Sequence, residues 1–188
     1  MIAHYQSITP NVYTMKKILA LSMFFVLAAF ARTQAQTTGD VTLNVQLNAV
    51  QSITINPSFT TTTLTYSTAD HYTNGVTTAE QTSAITVFST TPYTVTVVAN
   101  QDLTKEAVTI PVSNVEITPS MTLKPAEVTL TTQAISKTTP GTIITSTIGT
   151  LAHVFHLVYS TANSTKTDFL GKAAGTYTAT LTFTLTAS

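Results

Sequence analysis

Residues 177–186 read Tyr-Thr-Ala-Thr-Leu-Thr-Phe-Thr-Leu-Thr, with apolar side chains at Tyr177, Ala179, Leu181, Phe183 and Leu185 and a threonine at every position between. Successive side chains of a strand point to opposite faces, so this stretch has one oily face and one hydroxylated face. The same writing recurs along the chain. Val41, Leu43, Val45 and Leu47 alternate with Thr42, Asn44 and Gln46, and Ile53 and Ile55 continue that strand until Pro57 ends it. Tyr93, Val95, Val97 and Ala99 alternate in the same way after Pro92.

Working outward, residues 83–89 form the strand before Pro92, with 93–99 as its expected hairpin partner. Short strands at 108–110 and 112–117 are punctuated by Pro111 and Pro119, which suits edges or sheet switches rather than a central ladder. Further strands are expected at 128–130, 143–148 and 151–159. Asn74-Gly75 reads as a turn, because both residues tolerate positive φ. A polar hairpin loop at 162–175 leads to the last strand. The total is about seven to nine strands, with turn signals at intervals of about 8–12 residues, the spacing of an all-β antiparallel sandwich.

Composition supports this. Roughly a quarter of the 188 residues are threonine, whose β-branched side chain suits a pleated backbone and whose hydroxyl suits its wet face. Charged residues are only 9%, with no basic patch for phosphates, which points away from nucleic acid. Cysteine is absent, which removes disulfide staples, thiolate metal sites and cysteine nucleophiles together.

Lys16 and Lys17 precede an apolar run at residues 18–31 that ends at Thr33-Gln34-Ala35. A cationic head, about 14 apolar residues and a small-residue end make a secretory signal peptide, and fall short of the roughly 20 residues a membrane span needs. The expected organisation is therefore a signal peptide at 15–35 and a single β-sandwich domain at 36–188. Residues 1–14, ahead of Met15, read as an extension from an upstream start. After cleavage five lysines face eight carboxylates, a net charge of −3. No second apolar span follows, so the expected location is the cell surface, the extracellular space or the periplasm.

The reactive inventory is thin. His153 and His156 are three apart, which on a strand sends them to opposite faces, so one is expected inward and one outward instead of sharing a metal. Asp70, Asn74 and Gly75 match positions 1, 5 and 6 of a calcium loop, but Tyr72 and Gln81 stand where two oxygen ligands belong. No Gly-x-Ser-x-Gly elbow, phosphate-cradling loop or poised acid pair is evident. No catalytic residue, metal site or cofactor is assigned. Among the mature tyrosines, Tyr93, Tyr159 and Tyr177 keep phase with apolar neighbours and read as core. Tyr66 and Tyr72, beside the Asn-Gly turn, are the candidate aromatic platform for a sugar ring.

Asp70-His-Tyr-Thr-Asn-Gly-Val76, Ser89-Thr-Thr-Pro-Tyr-Thr-Val-Thr-Val97, Ile110-Pro-Val-Ser-Asn114 and Gly175-Thr-Tyr177 carry a resemblance. The chain resembles small secreted surface β-sandwich proteins of Bacteroidota-type bacteria, and more loosely spore-coat-U and fimbrial pilin domains. The resemblance implies an immunoglobulin-like sandwich used structurally at the cell surface, and carries no catalytic residue. The expected function is an exported, non-enzymatic surface-structural or fimbria-like adhesion component whose partners are like subunits, other surface proteins or glycan. The alternative is a soluble carbohydrate-binding module. Val41, Leu43, Val45 and Leu47 also have the alternation of a donor strand that completes a neighbour's sheet. The Tyr177–Thr186 strand, however, reads as closing its own fold, so a self-complete fold is the first expectation and strand donation the second.

Overall fold

The computed structural model describes residues 38–188. The expected leader and the extension before it lie outside the described residues. The chain divides into a unit ending at Gln46 and a unit running from Leu47 to Ser188. Of the first unit, residues 38–46 are described; they carry neither helix nor strand and are exposed throughout.

The second unit is all-β and antiparallel. Its strands are β1 (Gln51–Ile55), β2 (Gln81–Ser89), β3 (Tyr93–Ala99), β4 (Leu103–Lys105), β5 (Val108–Ile110) and β6 (Glu116–Ser120). They continue with β7 (Val128–Leu130), β8 (Gln133–Ala134), β9 (Gly141–Ser146), β10 (Thr150–Ser160) and β11 (Leu181–Ala187). One sheet has the order β1-β2-β10-β6-β8, a second has β11-β3-β9-β7, and β4 and β5 form a hairpin. Every pairing is antiparallel.

The period-two pattern decides what each strand buries. In β3, Tyr93, Val95, Val97 and Ala99 are buried while the residues between are half-exposed. In β10, Phe155, Leu157 and Tyr159 are buried at the same spacing. These side chains join Ile85, Val87, Ile117, Val128, Ile143 and Ile144 in a single apolar core fed by both sheets. Full burial of each such aliphatic or aromatic side chain is worth about 1.5–3 kcal/mol.

Three expectations need correction. First, β3 is not the hairpin partner of β2. Ser89 donates its hydroxyl to the Thr91 carbonyl at 2.7 Å, and Pro92 removes a ladder donor, so the chain crosses there from one sheet to the other. Likewise β10 and β11 lie in different sheets, so 162–175 connects sheets and does not close a hairpin. Second, the first strand begins at Gln51; residues 41–47 alternate correctly but carry no strand. Alternation fixes the two faces of a strand and leaves open whether a neighbouring edge is there to pair with it.

Third, Asn74-Gly75, expected as a turn within a polar loop, instead ends a short helix, with the positive φ at Gly75 alone. Helix α1 (Ala69–Asn74) is capped by the Thr68 side chain, which accepts from the His71 amide, and Gly75 at φ +85° stops it.

The strand expected at 112–117 begins only at Glu116, after a 3-10 turn at Val112–Asn114, and Pro119, expected to mark an edge or a sheet switch, sits within β6, between β10 and β8. The two-residue β8 pairs only with Glu116 and Ile117, so Pro119 lies past its end and no amide is missed on that side.

Candidate functional site

The sequence candidates fall at two places. Val41, Leu43, Val45 and Leu47 are 91%, 85%, 75% and 88% exposed. Four large apolar groups at every second position, left in water, are an unusual feature of a soluble surface.

The second place is a groove of about 780 Å³ within the Leu47–Ser188 unit. Its floor is the buried side chains Ile110, Val112, Val115 and Ile135. Residues 60–66 form one flank, with Thr62, Leu64 and Tyr66 half-buried and Thr61, Thr63 and Thr65 exposed. Residues 175–181 form the other, with Tyr177, Ala179 and Leu181 half-buried and Thr176, Thr178 and Thr180 exposed. Both flanks thus turn mainly apolar groups inward, with Thr62 the exception, its hydroxyl accepting from the Gln81 amide at 2.6 Å. They continue β1 and β11, the edge strands of the two sheets. The inward residues of those edges, Ile53, Ile55, Leu181, Phe183 and Leu185, are likewise only half-buried. The last strand is therefore hydrogen-bonded on one side only, to β3, and approaches β1 without pairing with it.

Tyr66 and Tyr72 are brought together at the head of this groove, with ring centroids 5.1 Å apart and planes tilted by 59°. Tyr66 is not a free platform. Its ring stacks on Phe169 at 4.7 Å and 18°, and its hydroxyl donates to Thr161 Oγ1 at 2.6 Å. Burial raises its phenol pKa, partly offset by hydrogen bonding with Thr161. Phe169 is held there by a polar clamp. Asn114 donates to the Asp168 carboxylate and accepts from the Thr165 amide, each at 2.8 Å. Lys166 Nζ donates to the Thr161 and Ala162 carbonyls at 2.8 and 2.6 Å. Only Tyr72, 38% exposed, presents an outward ring.

The remaining polar candidates are engaged elsewhere. Asn74 donates to Asp70 Oδ1 at 2.6 Å along α1, so the two residues of the partial calcium pattern bind each other. His153 Nδ1 lies 2.7 Å from the Tyr93 hydroxyl, and His156 bridges the Ser83 amide and the Thr122 hydroxyl at 2.8 and 2.9 Å. Both histidines are half-buried, but His153 keeps phase with buried Phe155 and Leu157 and meets the buried Tyr93, while His156 falls between those positions and its partners are exposed. Among the described residues no cluster of three or more His, Asp or Glu could hold a metal, and no helix is long and apolar enough to cross a membrane.

Sequence reasoning missed the groove. Leu64, Leu103, Phe169 and Ala179 line it from four separate segments. The available signal was the phase of Thr61-Thr-Thr-Leu-Thr-Tyr66, which alternates like a strand although no strand pairs with it. No family model matches the chain, and no curated protein matches it.

Proposed function

We propose that the chain is an exported, immunoglobulin-like β-sandwich that serves, without catalysis, as a surface-structural or fimbria-like adhesion component joining like subunits. The observation that carries this reading is the exposed alternating segment Val41–Leu47. An exposed segment with one alternating apolar face is a template for pairing with another chain, and natural proteins blunt such features unless they are used. The signal-peptide pattern at 15–35 and the hydroxyl-rich, weakly charged composition favour a surface role over a cytosolic one. The carbohydrate-binding alternative keeps Tyr72 but not an open Tyr66 ring, and nothing else favours it.

The test is electrophoresis of purified protein in detergent, with and without boiling. A ladder that survives cold detergent, collapses on boiling and disappears when Val41, Leu43, Val45 and Leu47 are all changed to serine supports the reading. Monomer alone at millimolar concentration overturns it.

A further inference from the structure

The outer face of the sheet β11-β3-β9-β7 is an array of threonines. Tyr93, Val95 and Val97 of β3 and Leu181, Phe183 and Leu185 of β11 turn to the core, which sends the threonines between them outward. The register then lines these threonines up across the strands. Thr186, Thr94, Thr145 and Thr129 are opposed in turn across all four, and Thr184, Thr96 and Thr142 across three. Thr142 and Thr145 are three residues apart and would face opposite ways in a regular strand. A register shift between Val95 and Thr96 sets one extra residue into β9, so that Ile143 and Ile144 are both buried and both threonines reach the outer face.

The hydroxyls of this array are available. Among the described residues only that of Thr94 has a hydrogen-bond partner, Ser188 Oγ at 3.0 Å. The four strands contain no charged residue, and their aromatic rings, Tyr93 and Phe183, face inward. The threonine bias of the whole chain does not by itself produce such a face. Outward positions of the other sheet hold Phe88, Val154, His156, Val158 and Glu116.

We propose that this face is a binding site for ordered water, and that its ligand is the surface of crystalline ice. Opposed residues of antiparallel strands lie about 4.5–5.5 Å apart, and residues two apart along a strand about 6.8 Å. Ordinary ice repeats its oxygens at comparable lengths along the two axes of its prism face. Each threonine supplies a hydroxyl that donates and accepts as a lattice water does, beside a methyl group that holds no water of its own. A lysine would keep a tightly bound hydration shell that fits no lattice, and these strands have none. A sugar ring finds no outward aromatic to stack on here. The site uses the face of the sheet and not its edges, so it is independent of how copies of the chain join.

Partition into slowly growing ice tests the site. The unmodified protein is compared with Thr96→Lys/Thr184→Lys, in the middle of the array, and with Thr54→Lys/Thr86→Lys, opposed on the outer face of the other sheet. Circular dichroism checks that each keeps its strands, and the single variant Thr184→Lys, exposed on an edge strand, replaces the first pair if that pair does not fold. The expected result is enrichment of the unmodified protein and of Thr54→Lys/Thr86→Lys in the ice, and loss of that enrichment in the array variant. Exclusion of the unmodified protein from the ice overturns the proposal. Equal uptake of all variants overturns it as well, because entrapment would then need no threonine face. Loss in both pairs overturns the placement of the site on this sheet.

Discussion

Tyr93 and His153 form the most consequential polar pair in the core. Tyr93 is fully buried, and burial pushes its phenol to about 12, while burial pushes the His153 imidazole below its ordinary 6.5. Both shifts favour neutral groups, so the 2.7 Å contact joins a neutral phenol to a neutral imidazole. The linkage has opposite signs on the two limbs. Below about pH 6.5 the unfolded chain binds a proton that folded His153 resists, so this contribution is complete above 6.5 and is lost as pH falls towards the folded value. Tyr93 and Tyr159, both pushed up to about 12, contribute fully below pH 10 and lose that contribution as pH rises from 10 towards 12. Melting temperatures are expected to decline on both sides, and His153→Gln, which keeps a hydrogen-bond partner for Tyr93, is expected to flatten the decline just below pH 6.5. An unchanged acid limb in that variant would remove His153 as its source. Gly75 gives a second residue-scale prediction. At φ +85° an added Cβ would stand 2.5 Å from the Thr161 carbonyl oxygen and 2.9 Å from Ala162 Cα, backbone atoms that cannot swing away. Gly75→Ala is expected to cost about 2–3 kcal/mol in urea unfolding. Gly171→Ala, at φ +68° in open space, should cost about 1 kcal/mol. Equal losses would mean that the end of α1 does not depend on its seat against Thr161.

Among elements, the contrast is between strands with two neighbours and edges with one. β2, β3 and β10 each pair on both sides and bury alternate residues, so their amides are expected to exchange with solvent only on global opening. Tyr177 and Ala179 lack main-chain partners and are expected to exchange at least about tenfold faster than the amides of β3. Slow exchange there would mean that these amides are shielded without a partner. This contrast also explains what the sequence made legible. Tyr93–Ala99 and Phe155–Tyr159 announced themselves because alternation reports which face is buried. Sheet membership was not announced: β2 and β3 are separated by three residues and were read as a hairpin, yet the Ser89–Pro92 corner sends them to different sheets. Residues 41–47 were read as the start of the first strand for the same reason, since an alternating pattern is identical whether or not a neighbour is there to pair. The groove was least legible, because its lining comes from segments far apart in sequence and joined only by the fold.

At the scale of the whole Leu47–Ser188 unit, stability rests on one core without any covalent staple, and the inward faces of β1 and β11 over that core are only half-buried. A ligand that binds the folded state alone raises stability by mass action, by about 2.7 kcal/mol at one hundred times its dissociation constant. For a chain of this size 1 kcal/mol moves the melting temperature by about 2–4 °C, so saturating synthetic peptide spanning residues 38–49, which holds the segment proposed to join copies, should raise it by roughly 5–10 °C. The same peptide with Leu43 and Val45 changed to serine keeps length and backbone but loses two apolar anchors, and should give at most a small fraction of that rise. The control separates side-chain burial from generic edge pairing: main-chain bonds are common to both peptides, while apolar burial rewards only the native one. Equal shifts would mean that backbone pairing, and not the apolar face of the segment, binds it. No shift with either peptide would mean that the segment does not join one copy of the folded chain to another.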